Sequence, residues 1–249
     1  LIKAALFKTD DGDHLLIAIH HLAVDGISWR ILFEDFEIGY LQAREGLDIK
    51  FQDKTDSFQY WSQQLNLYAG ADAALEELDY WKTVDAAATE PVPRDVFLSA
   101  PERKESDREY SEFELDVEST EKLLKEVNKA FNTEINDILL TALALAFYHW
   151  TGNEQVVINM EGHGREEILK DVNISRTVGW FTTMYPVLLD IDDIGDLSAV
   201  IVHIKETMRR IPSKGIGYGI LRYLTPPEKL DGFVFGSEPE VSFNYLGQF

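Results

Sequence analysis

The feature that most narrows the fold is a stretch in the middle of the chain, residues 133–150, that is apolar on nearly every side: Ile135, Ile138, Leu139, Leu140, Ala142, Leu143, Leu145, Ala146 and Phe147. A helix with no polar face is at home only inside a large domain. At 249 residues and 45% hydrophobic content the chain is long enough to supply one, as a single large domain or two lobes.

Around this helix, strand and helix signals mix without a regular βαβ repeat. Strands are predicted at 14–19, 112–117, 155–160, 184–191 and 240–246, with the apolar run 14–19 expected to be buried. Ser28 is placed as the N-cap of a helix to about Gln42, with Trp29, Leu32, Phe33, Phe36 and Tyr40 on its inner face. A second helix from about Asp56 carries the stripe Phe58, Trp61, Leu65 and Tyr68, stops at Gly70 and resumes over 74–84. Ser119 or Thr120 caps a helix to Phe131, Asp196 caps another to about Ile211, and 212–219 is expected as a glycine-rich loop. Such a mixture predicts an α+β fold. Residues 85–107, rich in alanine, proline and clustered charge, read as a connection between a first part, 1–84, and a second, 108–249. Both ends run straight through apolar or strand-like sequence, so the chain is expected to be a piece of a longer domain.

Charge and composition remove several functions. A formal charge of −21 argues against nucleic acid or an anionic membrane as the main partner. With no cysteine there is no disulfide, thiolate metal site or cysteine nucleophile, which suits a cytoplasmic setting. His14 and His203 have no companion at metal-ligand spacing, His149 reads as a core or edge histidine, and no metal is expected. The glycines at 215, 217 and 219 lack the strand-to-helix context of a phosphate loop.

Two segments carry residues suited to proton transfer. In His20-His21-Leu22-Ala23-Val24-Asp25-Gly26 a pair of histidines closes a predicted strand, and neighbours on a strand face opposite sides, so one imidazole can enter a cleft. Taken alone, such a pair is more often a hydrogen-bonded strand edge. In Glu161-Gly162-His163-Gly164-Arg165-Glu166 two glycines let the backbone fold closely around a carboxylate, although by composition it is an ordinary charged turn. Trp180 and Phe181 read as packing residues. On the last strand Asn244 and Tyr245 can both approach one site only if the strand ends or bulges there.

Together these segments resemble a known family. HHxxxDG at 20–26 resembles the motif of the chloramphenicol-acetyltransferase-like superfamily, which includes the condensation and epimerization domains of non-ribosomal peptide synthetases. EGHGRE at 161–166 is similar to a motif of the epimerization domains that ordinary condensation domains lack. RTVGWFTTMYP at 176–186, PSKGIGYGILRY at 212–223 and FNYLGQF at 243–249 resemble three further motifs of that family, in the same order. The resemblance spans nearly the whole chain; Ala23 departs from it, standing where a larger aliphatic residue is common.

The resemblance implies a two-lobed fold whose first lobe is incomplete here, 1–84 supplying its C-terminal part and 108–249 the second lobe. It implies epimerization of an aminoacyl or peptidyl thioester held on the 4'-phosphopantetheine arm of a peptidyl carrier protein, among neighbouring synthetase domains, with no cofactor bound by the domain itself. His21 and Glu161 are then the catalytic pair, supported by His20, Asp25, Gly26, Asn244 and Tyr245. The arginine that the family pairs with the motif aspartate is expected outside this chain. Lys205, Arg209, Arg210 and Lys214 are candidates for a basic patch that meets an acidic carrier. Two other readings stay open: a condensation domain that uses His21 alone, and a non-catalytic carrier-docking module.

Overall fold

The computed structural model describes residues 1–87, 89–96, 104–191 and 194–247. Part of the proposed connection at 85–107 and the end of the FNYLGQF segment therefore lie outside the described residues. The chain opens with an antiparallel hairpin, β1 (Ile2–Thr9) and β2 (Gly12–Ile19), in which Phe7 faces His14. The strand at 14–19 forms, but it is not buried: Leu6, Phe7 and Leu16 all stand more than half exposed. The sheet holding it has only two strands, which leaves both faces uncovered among the described residues.

Helix α1 (Gly26–Arg44) begins one turn earlier than the Ser28 cap implies. Asp25 is the N-cap and accepts the Ser28 N–H at 2.7 Å. The inward face also differs. Ser28, Ile31 and Gly39 are buried, whereas Phe33, Phe36 and Tyr40 are exposed. The cause is tertiary: Arg176 pairs with Glu34 and Asp35, and Ser28 bonds to the backbone of Gly179, so the polar edge of α1 faces the rest of the chain.

Three helices follow: α2 (Phe58–Tyr68), capped by Ser57, α3 (Asp72–Leu75) and α4 (Leu78–Asp85). The strand expected at 112–117 does not form. Its exposed alternating residues find no partner strand among the described residues, and Asp116 instead caps α5 (Val117–Phe131), accepting the Ser119 N–H at 2.8 Å. Asn132, in the left-handed region at φ 51°, ends α5. The chain then turns by 98° into α6 (Ile135–Thr151), whose start is closed by a reciprocal cap between Glu134 and Asp137. Only the stripe Asp137, Leu140, Thr141 and Ala144 is fully buried, and Ala142, Ala146 and Trp150 reach solvent. The apolar helix is thus covered on one side rather than all round.

The second sheet runs β4-β3-β5, from β3 (Gln155–Gly162), β4 (Thr183–Asp190) and β5 (Val241–Phe243). β3 is antiparallel to β4, with Glu161 opposite Met184, and parallel to β5, with Met160 beside Phe243. Asp196 caps α7 (Leu197–Arg210) through the Ser198 and Ala199 N–H groups. The glycine-rich segment is not a loop: a short turn over Pro212–Gly215 leads into α8 (Ile216–Tyr223). The glycines mark close packing. A Cβ at Gly215 would strike the Tyr185 ring, and one at Gly217 the Glu77 carboxylate.

Two cores hold these elements together. In the larger, Trp81, Leu140, Ile158, Leu189, Ile204 and Leu221 pack α4, α6, α7 and α8 on the β4-β3-β5 sheet. Each such side chain contributes roughly 1.5–3 kcal/mol by leaving water. The smaller joins Trp61, Leu65 and Ala74 to Ile174, Phe181 and Ile216. Both cores draw on α2–α4 as well as on residues after 108, so the composition break at 85–107 does not coincide with a break in packing. Among the described residues no single helix is long and apolar enough to cross a membrane.

Candidate active site

Where β2 ends, the chain makes one tight turn, His21–Ala23, before Asp25 starts α1. His20 closes that turn, its Nδ1 accepting the Leu22 N–H at 3.1 Å. His21 points elsewhere and lines a cleft of about 850 Å³. Gly26, Arg30, Met160, Glu161, Met184 and Tyr185 line the same cleft. Burial pushes the Tyr185 hydroxyl up to about 12, so it stays protonated across the neutral range.

Glu161 sits on β3 itself rather than in the turn after it. Asn244 Nδ2 donates to Glu161 Oε2 at 2.6 Å, a charge-assisted bond that fixes one carboxylate oxygen. β5 ends at Phe243, which frees Asn244 and Tyr245 from strand alternation, and both line the cleft. Beyond Glu161 the chain bends at Gly164, where φ is +67° and a Cβ would overlap the Phe181 carbonyl. His163 Nδ1 accepts the Arg165 N–H at 3.0 Å, and its Nε2 lies 3.1 Å from Glu166 Oε1.

Asp25 has an arginine partner within the chain. It is Arg165, whose Nη2 donates to Asp25 Oδ1 at 3.2 Å and to Ser28 Oγ at 3.1 Å, while Nη1 donates to the Ile174 and Thr177 carbonyls, both at 2.9 Å. The Asp25 carboxylate also accepts the Phe181 N–H at 3.1 Å. The guanidinium lies 4.0 Å above the Phe181 ring. Burial pushes the Arg165 pKa down, and the Asp25 carboxylate opposes that shift. This node ties the turn at 20–26, the bend at 161–166 and the segment at 176–186 to one another. Arg165 stands inside EGHGRE, four residues after Glu161, so the motif itself holds the cation that meets the buried Asp25 carboxylate.

Trp180, read from sequence as packing, is 43% exposed and lines the cleft, whereas Phe181 is buried against Phe58 and Trp61. Of the basic candidates, Arg209 and Lys214 line the cleft. Arg209 donates to the Asn132 carbonyl at 2.6 Å, Lys214 stands 3.8 Å from Glu166, and Lys205 is turned to the Phe131 carbonyl at 3.2 Å. Arg210 is exposed on the same helix end. Among the described residues no three His, Asp or Glu side chains gather as a metal site.

The condensation-domain family model matches residues 1–249. This chain belongs to that family. Tyrocidine synthase 1 of Brevibacillus parabrevis is 52% identical over 250 residues, and surfactin synthase subunit 1 of Bacillus subtilis (strain 168) 48% over 250. The match covers all of this chain but 23% and 7% of those proteins, so the chain spans less than a quarter of either. Among solved structures, the epimerization domain from the third module of tyrocidine synthetase B superimposes with a TM-score of 0.94 at 51% identity, over all of this chain and 57% of that one. The first condensation domain of the CDA synthetase shares the fold, with a TM-score of 0.65 at 19% identity over 99% of this chain and 51% of that one. The mixed helix-and-sheet architecture is accordingly the chloramphenicol-acetyltransferase-like fold of these condensation-family domains.

Proposed function

We propose that this condensation-family chain carries the reacting groups of an epimerization domain, inverting the α-carbon of an aminoacyl or peptidyl thioester on the phosphopantetheine arm of a carrier protein. The observation that carries this reading is Glu161: a carboxylate aligned by Asn244, opening into the same cleft as the His21 imidazole. Epimerization removes a weakly acidic α-proton and returns one to the opposite face, which calls for two proton-transfer groups across one cavity. His21 and Glu161 take these roles, one accepting the proton and the other supplying one. A condensation reaction would use His21 and leave Glu161 idle, and a docking module would need neither. The likeness to the tyrocidine synthetase B epimerization domain, far closer than to the condensation domain, supports the same choice.

Asp25 and Arg165 support the site from behind, and Tyr245 lines the cleft beside Asn244. Arg209, Arg210 and Lys214, at or near the cleft, are assigned to the acidic carrier and its arm.

The test is Glu161→Gln in the full-length synthetase supplied with an L-aminoacyl carrier. The substitution keeps shape and hydrogen bonding but ends proton transfer. D-product and solvent deuterium at the α-carbon should both fall by about 10²–10⁴-fold. Near-wild-type inversion by this variant would refute the assignment of Glu161, and dipeptide in place of D-product would turn the reading to condensation.

A further inference from the structure

His21 presents a problem of orientation. A side chain that moves protons needs a fixed ring, and histidines in that role are commonly held through their second nitrogen by a carboxylate or carbonyl. Among the described residues no hydrogen bond reaches the His21 ring. Its neighbouring aspartate is committed to the α1 cap, to Arg165 and to the Phe181 N–H. The ring contact that His21 does make is with Trp180, centroids 5.3 Å apart and planes at 65°, an edge-to-face pair.

From this contact, and resting on the function proposed above, we infer that Trp180 is the positioning residue for His21, an indole doing by ring contact what a carboxylate does elsewhere by hydrogen bonding. The backbone on either side of Trp180 is built for it. Gly179 donates its N–H to Ser28 Oγ at 3.0 Å, and its carbonyl accepts from that hydroxyl at 2.9 Å. Phe181 donates its N–H to Asp25 at 3.1 Å, and its ring is clamped by Phe58, Trp61 and the Arg165 guanidinium. Trp180 thus hangs between two residues fastened to Asp25 and Ser28, the same turn and helix start that carry His21. A Cβ at Gly179 would drive into the Phe58 ring, so the approach is fixed from behind as well. Trp180 itself is 43% exposed and lines the cleft beside His21.

The experiment compares Trp180→Leu and Trp180→Phe with wild type in the full-length synthetase, with isotope-labelled histidine rings and an aminoacyl carrier substrate. A side chain shifted by about 1 Å at a reacting group can cost on the order of 10²-fold. Trp180→Leu should therefore lower kcat by about 10-fold or more with KM for the carrier little changed, and Trp180→Phe, which keeps an aromatic face, should recover most of it. The His21 ring resonances should carry a ring-current displacement in wild type that Trp180→Leu abolishes. That readout needs no turnover, so it stands or falls separately from the epimerase reading. Unmoved His21 resonances in Trp180→Leu, or a Phe variant as impaired as the Leu variant, would overturn the positioning role. If Trp180→Leu does not fold, the Phe variant decides: loss of both activity and ring-current displacement there overturns the inference, and retention of both supports it.

Discussion

Replacing Arg165 by Met tests whether the Asp25 node, rather than the hydrophobic cores alone, holds the candidate site together. The Arg165 side chain is 6% exposed and Asp25 4% exposed, so the variant leaves a carboxylate inside the protein without its counter-charge. Breaking a buried pair from one side costs about 3–5 kcal/mol. Asp25 keeps the N–H groups of Ser28 and Phe181, which places its share near the lower end, about 3 kcal/mol. The Ile174 and Thr177 carbonyls lose a donor as well, adding about 1 kcal/mol between them after partial relaxation. The expected loss is about 4 kcal/mol, roughly a thousandfold in the folding equilibrium. Urea unfolding of the full-length protein should show a lower midpoint with an unchanged slope for the transition that contains this domain. Arg165→Lys should recover little, because a lysine cannot serve Asp25, Ser28 and two carbonyls from one planar fork. Adding Asp25→Asn to Arg165→Met should cost less than the two single losses together. A loss below about 1 kcal/mol for Arg165→Met would refute the reasoning, since it would mean that the buried pair is nearly neutral.

Three further outcomes follow from charges near the cleft. Arg210→Glu should raise KM for the acidic carrier, more at low salt than at high, and an effect independent of salt would remove Arg210 from the docking surface; Arg209→Glu should in addition destabilise the fold, because Arg209 closes the end of α5 at the Asn132 carbonyl. Burial pushes the Asp137 pKa above its ordinary 3.8, so the folded state holds this proton more tightly than the unfolded one. That contribution is fully present below the unfolded value and is lost as pH rises from 3.8 through the folded value, and Asp137→Asn, which keeps the acceptor for the Glu134 N–H, should flatten that part of the stability profile in denaturant titrations. An identical slope in both proteins would exclude Asp137 as its source.

The local signals in the chain held where the cause was local. Ser57, Asp116 and Asp196 are short polar residues that accept an N–H from the first turn, and each starts a helix; Asp196 is legible as a cap, whereas the pattern points to Ser119 or Thr120 in place of Asp116, and Ser119 donates to it. The stripe Trp61 and Leu65 was legible because its spacing matches a helical period and both side chains reach the core. The glycines at 215 and 217 read as a loop because glycine signals freedom in sequence, yet here the missing Cβ makes room for Tyr185 and Glu77.

By itself the sequence determined much of the menu: most of the helices and strands, which segments hold imidazole and carboxylate, and which family those segments resemble. Tertiary structure decided what faces what. Periodicity shows that Phe33, Phe36 and Tyr40 share a side of α1, but Ser28 bonding to Gly179, 151 residues away, turned the other side inward. Likewise Asp25 meets Arg165 across 140 residues, and Asn244 meets Glu161 across 83. Such contacts depend on how finished elements stack, which no local spacing encodes; the site is assembled only when β3, β5 and the turn before α1 have been brought together by their cores.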